Sequence, residues 1–254
     1  MNTMHWKPRL RAAGIHLLIS LAIAALAAAL VFGLWYPYPY RELSGGRELF
    51  FMVVGIDVVL GPLITLLIFN SKKTRRHLAG DLSVVAALQL AALCYGLWTT
   101  FEARPVHMVF EYQNMVVVHA ADIDPETLAQ APAELQKLPL YGPTLLSLRP
   151  FKSADEEFDS TTMAISGIAQ SAQPTLWQPY DLAHDAILQR AQTLAALKAR
   201  FPEQTQTIDD AVAATKQQAD SLRAMPILSR QKAWTVLLDA QTAQPVGYID
   251  LDSF

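Results

Sequence analysis

Residues 49–69 read LFFMVVGIDVVLGPLITLLIF, from Leu49 to Phe69. At a helical rise of 1.5 Å per residue, a stretch of that length covers about 30 Å, the hydrocarbon thickness of a bilayer. One carboxylate, Asp57, stands near its middle, and Gly61-Pro62 follows four residues later. A charge at that depth costs several kcal/mol, and the proline removes a backbone hydrogen bond to the carbonyl of Val58. The stretch therefore predicts a membrane span with a helix break at Gly61-Pro62 and a polar partner for Asp57 elsewhere.

Working outward, two more apolar runs pass the same length test, so the spans are 14–36, 49–69 and 82–101. Of the 254 residues 52% are hydrophobic and only 17% charged, more apolar than an ordinary soluble domain of this size. The spans define a transmembrane domain, residues 1–104. Residues 105–254 hold no such run and predict one compact soluble domain. Charge divides the same way. Residues 1–104 carry 10 Lys/Arg against 5 Asp/Glu, and residues 105–254 carry 10 against 18. An acidic soluble domain excludes nucleic acid as a natural partner. The single cysteine, Cys94, lies in the third run, so no intrachain disulfide forms.

The flanking charges orient the spans. Lys7, Arg9 and Arg11 precede the first run, which continues without a polar break through Trp35. It is too long for a signal-peptide core and reads as an uncleaved transmembrane helix. The loop 70–81 gathers Lys72, Lys73, Arg75 and Arg76, whereas the loop 37–48 balances Arg41 and Arg47 with Glu42 and Glu48. By the positive-inside rule the N-terminus and the second loop are cytoplasmic. In a bacterium this is a multi-pass inner-membrane protein with a periplasmic C-terminal domain. Trp35, Tyr36, Tyr38, Tyr40, Trp98 and Phe101 are expected as aromatic anchors at the outer surface. The basic loop is also expected to touch anionic membrane lipid.

The soluble part is expected to be α+β, with β-hairpins at both ends and an αα-hairpin between. Val106–Tyr112 and Met115–Ala120 flank Gln113-Asn114, which predicts a hairpin pairing Tyr112 with Met115 and Met108 with His119. One face then carries Met108, Phe110, Tyr112, Met115, Val117 and His119, the other His107, Val109, Glu111, Val116, Val118 and Ala120. Asp124-Pro125 predicts one capped helical turn. A strand is expected near Thr162–Ile168, with Asp155, Glu156, Glu157 and Asp159 in a solvated loop. Helices are expected over 182–201, ended by Pro202, and over 203–222, followed by strands 233–239 and 246–251.

No catalytic motif stands in this sequence. There is no Gly-x-Ser-x-Gly elbow, no His-Glu-x-x-His, no phosphate-binding glycine loop and no cysteine outside the membrane. No metal or cofactor is expected. His107 and His119 neighbour Glu111, Asp122 and Asp124, but the predicted register sends the two rings to opposite faces. Asp181, His184 and Asp185 are acceptable at a helix start without any ligand role.

The polar residues within the membrane remain. Counted from the outer boundary, Asp57 lies roughly 12 Å deep and Tyr95 lies at about that depth on the third span, with Gln89 roughly 7 Å deeper. The Tyr95 hydroxyl or Gln89 is the expected partner. Asp57 then either clasps the second and third helices together or faces a groove that receives polar groups of another membrane protein.

Gly55-Ile-Asp57-Val-Val-Leu-Gly61-Pro62-Leu-Ile-Thr65 resembles the G-x-D-x-x-x-G-P-L-x-T signature of the type IV pilin accessory proteins, the TfpX/TfpZ family. Leu34-Trp35-Tyr36-Pro37, Gln89 to Gly96, Ala103-Arg104-Pro105-Val106 and the closing strand pair are similar as well. The resemblance is strong over residues 14–120 and thin from 121 to 230. It implies a non-enzymatic chaperone or assembly modulator that binds a type IV pilin subunit, and other inner-membrane pilus-assembly proteins, through Asp57, Gly61, Pro62, Gln89 and Tyr95. The alternative from another class is a membrane-anchored enzyme or proton-linked translocation component using Asp57 as a titrating group. A proton path would need polar residues across the bilayer, and the first span offers only His16 and Ser20, both near its cytoplasmic end.

Overall fold

The computed structural model describes residues 6–69 and 74–254, so Lys72 and Lys73 of the basic loop lie outside the described residues. The chain divides into two compact units, residues 1–37 with 46–102, and residues 38–45 with 103–254.

In the first unit α1 (Trp6–Leu30) continues into a π-helical turn, Val31–Trp35. After the single turn α2 (Tyr40–Leu43), which belongs to the second unit, come α3 (Gly46–Ile68) and α4 (Arg75–Glu102). Among the described residues, three helices are long and apolar enough to cross a membrane: 6–35, 46–68 and 76–102. Each begins earlier than the apolar runs alone suggest, because a helix continues through its polar end as long as its backbone bonds are made. Pro62 does not break α3. A proline deprives the helix of one hydrogen bond, and neighbouring helices make that tolerable within a membrane. Helix α3 packs against both α1 and α4. Its buried stripe is Gly46, Phe50, Val54, Gly61 and Thr65, spaced by four or seven residues along one helix face. The Phe32 and Phe50 rings meet edge to face at 4.9 Å, and Trp35 meets Phe101 the same way at 5.1 Å. Tyr36 is fully buried and its hydroxyl donates to the carbonyl of Thr100 at 3.2 Å, so it is a packing residue.

The second unit is an α+β domain on a mixed sheet. The strands are β1 (Pro105–Glu111), β2 (Asn114–His119), β3 (Thr144–Leu148), β4 (Trp177–Pro179), β5 (Gln192–Thr193), β6 (Leu222–Leu228), β7 (Ala233–Asp239) and β8 (Pro245–Ile249). Their order is β4-β3-β1-β2-β6-β7-β8, with β5 paired to β6. Strands β1 with β3 and β2 with β6 run parallel, and the other pairs antiparallel. Met108, Phe110, Met115, Val117, Met225, Ile227, Val236 and Leu238 form the core on one face. Val109, Val118, Ala224 and Leu237 alternate to the other face, under two smaller clusters. Tyr40, expected as an interface anchor, is buried with Leu43 of α2 in the first of these cores.

The first hairpin turns one residue early. Glu111 pairs with Asn114, Phe110 with Met115 and Met108 with Val117, and Tyr112 takes a left-handed φ of 56°. Relative to the expected register the partners slide by two residues, which leaves Met108, Phe110, Met115 and Val117 on one face and Val109 and Val118 on the other, while Tyr112 leaves the strand for the turn and sets its ring against Phe151. The Asp124 cap is as expected: its carboxylate accepts from Thr127 N at 3.1 Å and opens α5 (Pro125–Leu128).

Other expectations are corrected. The strand near 162–168 is α6 (Ala154–Ile165), because Ser153 Oγ caps Glu156 N at 3.1 Å and three acids fill the first turn. The long helix 182–201 is interrupted. It becomes α7 (His184–Arg190), then β5, then α8 (Leu194–Arg200), whose start is capped by Thr193. The second helix, α9 (Thr205–Thr215), stops at a left-handed Lys216, and Leu222 opens β6. Pro226 disguises β6 as non-strand, since proline lacks a ladder donor. It falls where the partners on one side change over, β5 facing Ala224 and Arg223, β2 facing Ile227 and Leu228.

Candidate functional site

His16, Asp57, Thr65 and Gln89 turn toward neighbouring helices of the membrane unit. On α4, Val85, Leu93, Gly96 and Thr100 are buried, and Gln89 shares their face at roughly 100° per residue. Gly61 and Gly96 let the helices meet. A Cβ at Gly61 would lie 2.2 Å from Gln89 Nε2, and one at Gly96 would lie 2.3 Å from Val53 Cγ1. Small residues at such contacts are the usual means of close helix approach in membranes.

Two polar contacts tie the helices. Gln89 Nε2 donates to the backbone carbonyl of Asp57 at 3.0 Å, joining α4 to α3. His16 Nδ1 and Thr65 Oγ1 lie 2.5 Å apart, joining α1 to α3, and Thr65 is 2% exposed. Between these contacts lies a groove of roughly 210 Å³. His16 and Ser20 from α1, Asp57 from α3 and Gln89 from α4 line it, among apolar side chains such as Ile23 and Leu93. The Asp57 carboxylate is half-buried there and forms no hydrogen bond or ion pair with any described residue.

The expected site residues thus separate. Asp57 and Gln89 share the groove, Gly61 lies against the Gln89 amide, and Pro62 continues α3 half-buried. Tyr95 is exposed, with its ring 5.8 Å from Trp98. It lies six residues beyond Gln89, about 120° around the helix at 100° per residue, so equal depth does not bring it to Asp57. Sequence reasoning reached Asp57 and Gln89 but missed Thr65 as a polar contact and gave His16 no role here. The available signal was spacing, since Thr65 stands four residues beyond Gly61 on the same stripe.

The titratable groups of the soluble unit have local duties. His107 is buried, with Nδ1 2.8 Å from Thr144 Oγ1 and its ring edge-on to Trp177 at 4.7 Å. Burial pushes its pKa down to about 4, so the ring is neutral at pH 7. Burial likewise lowers His119, whose Nδ1 lies 3.3 Å from Asp122. Burial alone would raise the Asp122 carboxyl, but hydrogen bonds from His119 and Arg230, with the Arg230 charge, hold it near 2. His184 Nδ1 lies 2.8 Å from Asp185 and Nε2 2.7 Å from the carbonyl of Gln241. Among the described residues no group of three His, Cys, Asp or Glu side chains could hold a metal ion.

Comparison with known proteins places this architecture among relatives. A family model described as fimbrial assembly protein FimB matches residues 4–45. A fimbrial assembly protein of serogroup I from Dichelobacter nodosus is 34% identical over 256 residues, spanning 100% of this chain and 99% of that protein. The serogroup E1 counterpart from the same organism is 32% identical over the same extent. A shorter one, of serogroups C1 and C2, is 40% identical over 131 residues, 52% of this chain and 100% of its own length. No solved structure matches.

Proposed function

The chain belongs to the fimbrial assembly protein family, and from that premise we propose that it is a non-enzymatic accessory factor that binds a type IV pilin subunit in the bacterial inner membrane and promotes its stability or assembly. Its signature around Asp57 supports the TfpX/TfpZ kind of pilin accessory protein within that broader role. The N-terminus and the loop around Arg76 are cytoplasmic and the α+β domain periplasmic, as the basic residues flanking the spans require.

The observation that carries this reading is the Asp57 carboxylate, without a partner among the described residues, in an apolar groove. Intramembrane carboxylates that satisfy no group of their own chain mark a binding or transport role. The groove admits side chains of one neighbouring helix rather than a whole helix, which suits a pilin anchored by a single apolar segment. Gln89, Gly61 and Pro62 shape the wall behind Asp57. Tyr95, on another face, would contact the partner only if the pilin helix wraps toward α4.

Co-purification of the cognate pilin from membranes tests the reading, comparing wild type with Asp57→Ala. Recovery is expected to fall about tenfold, the equivalent of an intramembrane hydrogen bond worth 1–2 kcal/mol. Equal recovery removes Asp57 from the binding account. The rival reading, a titrating carboxylate on a proton path, gains one supporting observation, since His16 and Ser20 share the groove. A pH-dependent proton flux in vesicles that Asp57→Asn abolishes would favour that reading.

A further inference from the structure

Three chain crossings join the soluble unit to the spans, and they fix which of its residues meet the membrane surface. The first apolar run ends at Tyr36, two residues before Tyr38. Gly45 immediately precedes α3 and stands four residues before Leu49, and Arg104 follows Phe101 by three. At 1.5 Å per residue Gly45 lies about 6 Å from the hydrocarbon, within the headgroup layer of about 5–8 Å on each side of a bilayer. Helix tilt only shortens that height.

One turn of the sheet lies against all three crossings. In the β6–β7 turn, residues 229–232, Ser229 Oγ lies 2.9 Å from Ser44 Oγ. The Gln231 side chain lies against Gly45, where a Cβ would be 2.9 Å from Gln231 Cδ. Arg230 pairs with Asp122, two residues beyond Ala120, whose amide donates to the Arg104 carbonyl at 2.9 Å. Trp234, two residues past the turn, faces the Tyr38 ring at 6.4 Å.

This turn is basic within an acidic domain. Residues 221–238 hold Arg223, Arg230 and Lys232 and no Asp or Glu, whereas residues 105–254 carry 10 Lys/Arg against 18 Asp/Glu. Arg230, Gln231 and Lys232 are exposed, as is Tyr38, with the Arg41 guanidinium 5.7 Å from its ring centre. The acids nearby are matched. Glu42 lies 3.7 Å from Arg41, and Asp122 holds Arg230. Glu48 and Glu102, at the span ends, stand within two residues of Arg47 and Arg104. The Lys232 ammonium forms no hydrogen bond or ion pair with any described residue, so the charge left over is positive.

We propose that the β6–β7 turn sits in the phospholipid headgroup layer and that Lys232 binds a lipid phosphate there. A lysine stem lies along apolar surface while its ammonium reaches the headgroups, and Tyr38 at the same level anchors the boundary. Arg230, tied to Asp122, positions the turn and supplies no free charge. The proposal needs the three helices to span a bilayer and is independent of pilin binding. The other occupant a free lysine accepts is an acidic protein segment, which vesicles of pure lipid leave out.

The test uses the full chain with Cys94→Ser and one fluorophore-labelled cysteine, reconstituted in phosphatidylcholine vesicles that carry a nitroxide on the headgroup. Gln231→Cys reports the turn, and Lys232→Cys repeats the reading without disturbing the Gln231 contact. Gln113→Cys is the reference, at the hairpin tip beyond the seven residues of β1. Quenching is expected to be at least about threefold stronger at the two turn positions, because the tip stands about 20 Å along the strand from Pro105. In Gln231→Cys, nitroxide-labelled phosphatidylglycerol is expected to quench about fivefold more effectively than labelled phosphatidylcholine, the effect of one lysine at an anionic surface. Adding Lys232→Gln is expected to remove that preference and leave the quenching by phosphatidylcholine unchanged. Quenching at either turn position no stronger than at Gln113→Cys overturns the proposal and leaves an acidic protein segment as the occupant. Equal quenching by the two lipids, or a preference that survives Lys232→Gln, overturns Lys232 as the phosphate ligand.

Discussion

Asp57 offers its backbone carbonyl to Gln89 and its carboxylate to the groove, so side-chain substitutions separate charge from hydrogen bonding. Asp57→Asn keeps the hydrogen-bonding shape without a titrating proton, and is expected to retain most pilin capture where Asp57→Ala loses it. Counting pili and measuring pilin recovery in both variants checks this. Asn behaving like Ala would make the charge itself necessary. In the soluble unit, His107 predicts a pH response. Its pKa is about 4 in the fold against about 6.5 in an unfolded chain. The unfolded chain therefore binds a proton that the folded one refuses. Stability from this group is complete above pH 6.5 and declines as pH falls toward 4, by about 3 kcal/mol for a ring so fully buried. Near-UV circular dichroism melts at pH 7 and pH 4.5 are expected to show that loss, and His107→Gln to flatten it. Neither the neutrality of His107 nor its contact with Trp177 could be read from sequence, because Thr144 and Trp177 lie on β3 and β4, which are brought beside His107 only by the strand order of the sheet.

At the scale of elements, α3 and α4 lock through two glycines with different neighbours. The atom facing Gly61 is the end of the flexible Gln89 side chain, whereas Gly96 faces the β-branched Val53. Gly61→Ala lets Gln89 swing aside at the loss of one hydrogen bond, about 1 kcal/mol. Gly96→Ala must push the helices apart, because Val53 has few rotamers, and overpacking of that kind costs about 1–3 kcal/mol. Thermal unfolding of the full chain in micelles is expected to rank Gly96→Ala as the more damaging. A reversed order would mean that the hydrogen bond, not the packing, holds the pair. The spans and both end hairpins were legible because their signals are local: apolar length, alternation and turn residues. Helix α6 was legible in principle, since Ser153 and the following acids form a helix start, but the β-branched residues after it outweighed that cue. Strand β6 was not legible, because Pro226 argues against a strand until its partial neighbours are known.

For the whole molecule, order along the chain and membership of a unit differ. Residues 38–45 lie between two spans, yet Tyr40 and the fully buried Leu43 complete the core of the domain that begins some sixty residues later. Ser44 Oγ adds a 2.9 Å contact to Ser229 Oγ. Leu43→Ala is expected to cost about 2–5 kcal/mol in that domain. A fragment of residues 103–254 should melt well below the same fragment with 38–45 fused to it, as calorimetry of both would show. Equal melting would make the segment an ornament. Sequence by itself determined three membrane-length helices, an acidic α+β domain after them, and Asp57 as the residue needing explanation, because length, charge and periodicity are properties of the chain. Tertiary structure alone decided that Gln89 holds the Asp57 backbone and leaves its carboxylate to the groove, that Tyr95 points elsewhere, and that the first loop belongs to the second unit. Those outcomes depend on which helix faces and strand edges meet, and sequence depth or distance does not encode azimuth.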